Sequence, residues 1–446
     1  MAVNYAICGL SNRGLASFVL PLLGTSGGRD TVLGYGSNTE DFSAHGTLVA
    51  VVDPDRRRAE DFLARLVPEG AGPVRIYSPA EFDRMVAETA VDRVIVASPD
   101  DSHETYILAA LAHGLDVITE KPMVSTAAGA ARVLAAEEQS SGSVLVTHNL
   151  RYTARHRQIK QLLLDGAVGR VLHVSLDYFV DTRHGASYFL RWNRERSRSG
   201  GLSVHKSTHH IDLVSWWLGA EPRQVHALGG RAFYGPDSPH RPRTEAGLWA
   251  EGDDLRRLDP YFRAQREAAV LTADAEEPRR GLYDLAYHHE YPAGRDDYLY
   301  DPEIDIEDHY AALLAYDGGA SVSYSINFSA PWEGYRLIIT GTHGQIETQT
   351  GRSPEGEVFP GTDRLVLRPL FDEPRTLSIE QVLGGHEGAD PLLRHDVFVG
   401  PSEESVRLGL VASSREGAVA VAAGEAIWRS IQQGSPVDVK QLLRTS

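Results

Sequence analysis

Three histidines, a lysine and an aspartate fall within the eight residues from His205 to Asp212, inside Ser199-Gly-Gly-Leu-Ser-Val-His-Lys-Ser-Thr-His-His-Ile-Asp212. A neutral imidazole is the side chain best matched to taking a proton from a hydroxyl near neutral pH. Apolar residues at 211, 214, 217 and 218 predict a helix that ends at Gly219. If that helix begins near Ser207 or Thr208, His209 lies in its first turn, where the positive end of the dipole favours the neutral ring. His205 and His209 share a face only if the helix reaches back to 205. His-x-x-x-His is also ligand spacing, but the glutamate of His-Glu-x-x-His is absent and no metal is assigned.

These residues need a scaffold. Residues 3–8 read as a buried strand, followed by Gly9-Leu-Ser-Asn-Arg-Gly14 and a helical run from Leu15 to Leu23. Strand, glycine turn and helix is the setting that holds a dinucleotide pyrophosphate on free backbone amides. Ser11 replaces the middle glycine; it is small enough for a phosphate to approach, and its hydroxyl could donate to it. Gly9, Ser11, Asn12, Arg13 and Gly14 are thus candidate cofactor contacts. Residues 24–46 read as a loop or insertion, and Leu48–Val52 as a second strand ending in Asp53. An acid there would accept from a ribose 2′-hydroxyl and repel a 2′-phosphate, favouring NAD; Arg56–Arg58 leave NADP open.

The alternation continues with strands at 74–77, 93–97, 116–119 and 143–147, and helices at 59–66, 80–88, 102–113 and 126–138. The pattern predicts a parallel sheet, with ligands at the carboxyl ends of its strands. Asp53, Ser98 and Glu120-Lys121 would share that crevice. From about 150 the rhythm changes: a helix at 154–164, an alternating strand at 171–179, then a polar, aromatic and basic segment at 181–198. Residues 250–306 read as an insertion or arm. Strands return at 309–316, 320–328 and 335–340, and an alanine-rich helix at 414–432 closes the chain.

Composition sets limits. The 446 residues suffice for two or three domains, and 42% hydrophobic with 24% charged residues is ordinary for a globular chain. A net charge of −17 argues against nucleic acid or an anionic membrane as the main partner. The single cysteine, Cys8, rules out an intrachain disulfide and a zinc–thiolate cluster. No signal peptide or bilayer-length apolar run is evident, so the expectation is a cytoplasmic protein.

Taken in order, Ser98-Pro99…His103, Glu120-Lys121-Pro122, Arg151-Tyr152, Gly200-Gly201…His209…Asp212 and Gly341-Thr-His-Gly344 resemble the glucose–fructose oxidoreductase / inositol dehydrogenase / rhizopine catabolism (Gfo/Idh/MocA) family. The resemblance covers nearly the whole chain, apart from 250–306. It implies an α/β protein: a Rossmann domain at 1–149, then an α+β domain at 150–446 with a large open, mostly antiparallel sheet for substrate and oligomerisation. It implies homodimers or homotetramers and NAD(P)-dependent chemistry on a hydroxyl or keto carbon of a sugar, sugar derivative or cyclitol. By the resemblance, Lys121 touches both nicotinamide ribose and reacting hydroxyl, and His209 accepts the proton. His205 stands where many members carry an aspartate, and reads as a substituted second base or a structural hydrogen-bonder. Ser98, His103 and Glu120 join the cofactor set. Arg151, His184, Trp192, Lys206 and His210 are the candidate substrate contacts. Two other functions remain open: a redox-neutral NAD-dependent glycosidase, and a non-enzymatic dinucleotide-binding regulator.

Overall fold

A computed structural model describes residues 2–24, 40–68, 72–259, 297–354, 356–379 and 385–444. The first sheet contains β1 (Val3–Cys8), β2 (Gly46–Val52), β3 (Arg75–Tyr77), β4 (Arg93–Val96), β5 (Asp116–Thr119) and β6 (Val144–Val146). Their spatial order is β6-β5-β4-β1-β2-β3, all parallel. The strands are short and nearly continuously apolar because helices cover both faces. The chain reverses its direction of winding between β1 and β4, and the carboxyl ends of these two strands flank the crevice.

The second sheet is built from β7 (Val171–Asp181), β8 (Pro222–Gly230), β9 (His309–Tyr316), β10 (Ser321–Ala330), β11 (Glu333–Gly341), β12 (Gly344–Arg352), β13 (Arg364–Pro369) and β14 (Arg375–Leu377). Near the C-terminus, β15 (Ala412–Ser413) returns to pair with β6, and β16 (Val437–Asp438) pairs with β8. The larger sheet runs β14-β13-β12-β11-β7-β10-β9-β8-β16, antiparallel except for the β10–β7 pair. β9 alternates strictly: Tyr310, Ala312, Leu314 and Tyr316 are buried while Ala311 and Leu313 are exposed. Only one face is therefore packed.

The helix Ser414–Gln433 joins the two sheets, packing on β8 and against helices Ala127–Glu137 and Thr208–Leu218. It also lies close against helix Leu202–His205, where Gly424 offers no side chain: a Cβ there would lie 2.3 Å from the Ser203 carbonyl oxygen. The segment expected to be polar, aromatic and basic folds as helix Thr182–Phe189, a 3-10 turn at Trp192–Arg194 and helix Arg196–Ser199. Asp181 starts it by accepting from the Arg183 and His184 amides. Of the expected loop at 24–46, residues 25–39 lie outside the described residues. Of the expected insertion at 250–306, residues 260–296 lie outside them. Its near end forms helix Asp253–Leu258, and its far end folds back so that Asp301 pairs with Arg194.

Arg151 is fully buried in the 3-10 turn that follows β6. Its guanidinium meets Asp212 at 2.5 and 2.8 Å and Glu416 at 2.7 Å, donates to the Gly409 carbonyl, and lies over the Trp216 ring. One cation thus ties the end of the first sheet to two helices. Taking one partner from a buried pair strands the other, at a cost of roughly 3–5 kcal/mol, whereas replacing both with apolar groups costs far less. Asp212→Ala should therefore lower thermal stability sharply, and Arg151→Met added to it should restore part of the loss. Melting curves in which the double variant is no more stable than Asp212→Ala would refute this account of the pair.

Candidate active site

At the nucleotide end of the crevice, Gly9 has φ +88°, and a Cβ on it would lie 2.5 Å from the Ser98 Cα. The chain between β1 and its helix is therefore bare backbone pressed against the end of β4, a cradle that suits a pyrophosphate and that a side chain would fill. The Ser11 hydroxyl accepts from the Gly14 amide at 3.0 Å and shapes the turn. Asn12 opens the helix, and its side chain lies outside the described ones. Arg13 is held by Glu120 at 3.0 Å and by two bonds to Asp390 at 2.9 and 3.0 Å. Asp53 sits at the end of β2 as expected but is buried: one oxygen accepts from the Leu10 amide, the other from Asp55, each at 2.9 Å. In this structure its carboxylate holds the glycine turn and is not open to a ribose. Arg58 donates to the Leu10 carbonyl at 2.6 Å, and Arg56 pairs with Glu60.

The strand ends carry the reactive groups. Lys121 follows β5, its Nζ donating to the His205 carbonyl at 3.4 Å. Burial, against the nearby Asp100 charge, pushes its pKa down to about 8. Across the crevice the helix Thr208–Leu218 starts where expected and stops at Gly219 in the left-handed conformation. His209 occupies its first turn with Nδ1 buried and without a hydrogen bond, leaving Nε2 for the cavity. Its ring is held well below its usual pKa, first by burial and then by the charges of Lys121 and Lys206. Burial, more than the helix dipole, thus favours the neutral imidazole at His209.

A cavity of about 440 Å³ opens beside His209, lined also by Tyr178, Asp181, His184, Lys206 and Glu333, with Arg352 at the end of β12. That is the size and polarity of a site for one small polar molecule. Lys206 keeps its proton: burial opposes the charge, but Tyr188, Tyr178 and Glu333 outweigh it and raise its pKa. It lies 5.6 Å from the Tyr178 ring centre. His184 bridges Glu333 and the Tyr188 hydroxyl at 3.0 and 3.1 Å. Glu333 is held well below the carboxylate range: burial raises it, but the His184 bonds and the Lys206 charge prevail. His210 lies at the cavity floor, stacked on Tyr178 and bonded to the Tyr324 hydroxyl at 2.8 Å.

The structure separates several residues that sequence reasoning grouped. His205 ends its own short helix, Leu202–His205, and the chain breaks at Lys206-Ser207 before the next helix begins. His205 and His209 therefore do not share a face. The His205 ring turns toward the first sheet, where Nδ1 meets Asp100 at 2.5 Å and Nε2 faces the Asn193 amide at 3.2 Å. Both nitrogens are engaged, so direct proton abstraction by His205 is not what this arrangement offers. Trp192 does not line the cavity: it packs edge-on against His205 and under Arg198. Arg151, spent on Asp212 and Glu416, has no surface left for a substrate. His103 is buried, its two nitrogens facing the Pro122 and Ser98 carbonyls, and so braces two strand-end loops instead of meeting a cofactor. Glu120 is likewise taken by Arg13. Asp100, His148, Asn193, Tyr178, Asp181, Glu333 and Arg352 escaped the sequence reading. The strand-end rule could have found Asp100 and His148, which follow β4 and β6; nothing local marks Glu333 or Arg352.

Comparison with known proteins bears on the whole chain. Residues 3–148 match the family model described as oxidoreductase family, NAD-binding Rossmann fold, and residues 160–439 match its C-terminal alpha/beta domain. YteT of Bacillus subtilis (strain 168), whose name proposes an oxidoreductase, is 41% identical over 99% of both chains. Inositol 2-dehydrogenase of Streptomyces avermitilis is 33% identical over 51% of this chain and 57% of its own length. Among solved structures, levoglucosan dehydrogenase in complex with NADH and levoglucosan shares the fold, with a TM-score of 0.63 at 17% identity, covering 98% of this chain and all of that one. The glycine cradle, the strand-end lysine and the matched models over both sheets lead to one assignment: the chain belongs to the Gfo/Idh/MocA oxidoreductase family and carries its NAD-binding Rossmann domain.

Proposed function

We propose that this protein is an NAD-dependent dehydrogenase or reductase acting on a hydroxyl or keto carbon of a sugar, sugar derivative or cyclitol. The observation that carries the reading is the placement of a deprotonatable lysine and a neutral histidine at the crevice of the Rossmann sheet, with a sugar-sized polar cavity beside His209. The inositol and levoglucosan dehydrogenases among its relatives and structural neighbours support a carbohydrate hydroxyl as the target. Bound nicotinamide would supply the hydride acceptor. Oxidation then leaves one proton to be removed from the hydroxyl, and Lys121 and His209 would be the groups to take it. Lys206, His184, Asp181 and Glu333 would orient the ring hydroxyls. Residues 1–149 serve as the dinucleotide unit and 150–446 as the substrate unit. The outward row of the large sheet, with Leu313 and Leu228 each more than three-fifths exposed, is the surface for a second copy.

NAD is favoured over NADP because the charge of Asp53 at the β2 end, though closed to a ribose hydroxyl, would repel a 2′-phosphate, while Arg56 and Arg58 are already engaged. Asp53→Ala orphans the Leu10 amide and should weaken NAD binding by roughly tenfold, about 1.4 kcal/mol, while narrowing the gap to NADP. A wild-type preference for NADP would count against this argument.

The primary assay follows NADH absorbance on purified protein given NAD⁺ and a panel of sugars, cyclitols and aryl glycosides. NADH formation with a free sugar or cyclitol is the expected result; aglycone release without net NADH would replace the reading with redox-neutral glycoside cleavage. Lys121→Ala should bind NAD nearly as well as wild type and lose about 10²–10⁴-fold in turnover, the usual worth of a positioned acid–base group; full activity would remove Lys121 from the mechanism. As a base Lys121 must be neutral, so oxidation should rise with pH through about 8 and level off above it, with reduction showing the opposite slope. A pH–rate profile that is flat through this region would contradict the assignment.

A further inference from the structure

Asp100 has no part in the mechanism above, yet it is buried beside Lys121 at the start of helix Asp100–Ala112. Its Oδ2 lies 2.5 Å from His205 Nδ1, and the other ring nitrogen faces the Asn193 amide group at 3.2 Å. With Asn193 donating to Nε2, the ring proton resides on Nδ1 and points at the carboxylate. The two side chains then carry one net negative charge and can take up one further proton. The carbonyl of the same His205 accepts from Lys121 Nζ, so the ring that binds Asp100 belongs to the residue that anchors the lysine.

We propose that Asp100 and His205 form a proton-sharing pair that positions Lys121 and sets its charge, making Asp100 a positioning residue of the site. The pair answers a physical need. Lys121 is desolvated and faces the cations Lys206 and Arg13, all of which push its proton off; Asp100 and Glu120 pull the other way. Glu120 is already committed to Arg13. Asp100 therefore supplies the anion that keeps Lys121 within reach of neutral pH. Burial raises Asp100, and the charges of His103 and Lys121 oppose that rise, so the protons of Asp100 and Lys121 depend on each other. His205 is held neutral first by burial and then by Lys121, Arg191, Lys206 and His103.

The inference rests on the proposed role of Lys121, but it can be read without a substrate. Competitive labelling with acetic anhydride across a pH series, followed by mass spectrometry of the Lys121 peptide, reports the titration of that amine in the intact protein. Asp100→Asn removes the charge and keeps the shape; Lys121 should then titrate about one pH unit lower. Asp101→Asn, one residue along and paired with Arg198 at the surface, should leave the titration in place. An unmoved Lys121 in Asp100→Asn, or an equal shift in Asp101→Asn, overturns the proposal. If Asp100→Asn does not fold, proton NMR of the wild type decides: a strongly downfield Nδ1 proton that disappears in His205→Gln supports the pair, and its absence refutes it. A shifted titration in a protein that oxidises no sugar or cyclitol would sink the dehydrogenase reading and leave the pair standing. With a working substrate, the acid limb of the pH–rate profile should move down in step with the labelling.

Discussion

The guanidinium of Arg151 is the fixed point of this molecule. It is buried among Asp212, Glu416 and the Gly409 carbonyl, and these belong to different parts of the chain. Arg151 leaves the first sheet just after β6; Asp212 lies three residues beyond His209 in the helix that carries that histidine. Whatever separates the strand ends from His209 is therefore set by this ion pair. A buried pair adds little net stability, because desolvation consumes most of the attraction. Its value here is positional: an arginine offers several donors in a rigid fork, and satisfying all of them permits one arrangement of three elements.

Around that frame the site separates charge by environment. Lys121 and Lys206 are both largely enclosed, yet they move in opposite directions. Burial pushes the proton off both; at Lys121 the cations Lys206 and Arg13 add to that push and Asp100 does not offset it, whereas at Lys206 the neighbouring Tyr188, Tyr178 and Glu333 outweigh it. One lysine becomes a candidate base and the other a permanent cation, which is how two like groups divide acid–base and binding work. The histidines follow the same logic. His148, His205, His209 and His210 are all held below their usual range with burial as the largest cause, and neighbouring cations reinforce it. Neutral rings are thus built into the enclosure and do not depend on the helix dipole alone.

Local signals made much of the scaffold legible. Each strand of the parallel sheet is a short apolar run bounded by turn residues, and helix Thr208–Leu218 shows its apolar spacing and its glycine stop. The Lys121 and His209 positions follow from the same reasoning. What escaped depends on distance in sequence. Glu333 and Arg352 reach the cavity from neighbouring strands β11 and β12, and neither has a local motif. β8 reads weakly because Pro222, Arg223 and Gln224 open it and two glycines end it. Arg151 and Trp192 were misplaced for a shared reason: a charged or aromatic residue near a motif looks like a ligand contact until its packing partner, Asp212 or His205, is known.

The basic segment from Arg191 to Arg198 shows how a long-range partner can invert a sequence reading. Four arginines in eight residues, beside an aromatic, read as a polar and basic segment with Trp192 as a candidate substrate contact. In the fold the far end of the inserted region answers them. Asp297 and Asp301 take the fully buried Arg194 at 3.2 and 2.8 Å, and Glu307 takes Arg196, whose guanidinium also covers the Trp428 ring. Asp308 then caps the Ala232, Phe233 and Tyr234 amides. Asp297, Asp301 and Glu307 thus neutralise Arg194 and Arg196 in the segment that leads into His205 and anchor the end of the insertion beside it. A run of charge that looks like a binding surface is here an internal tether, and it fixes Asn193 where that amide can meet the ring of His205.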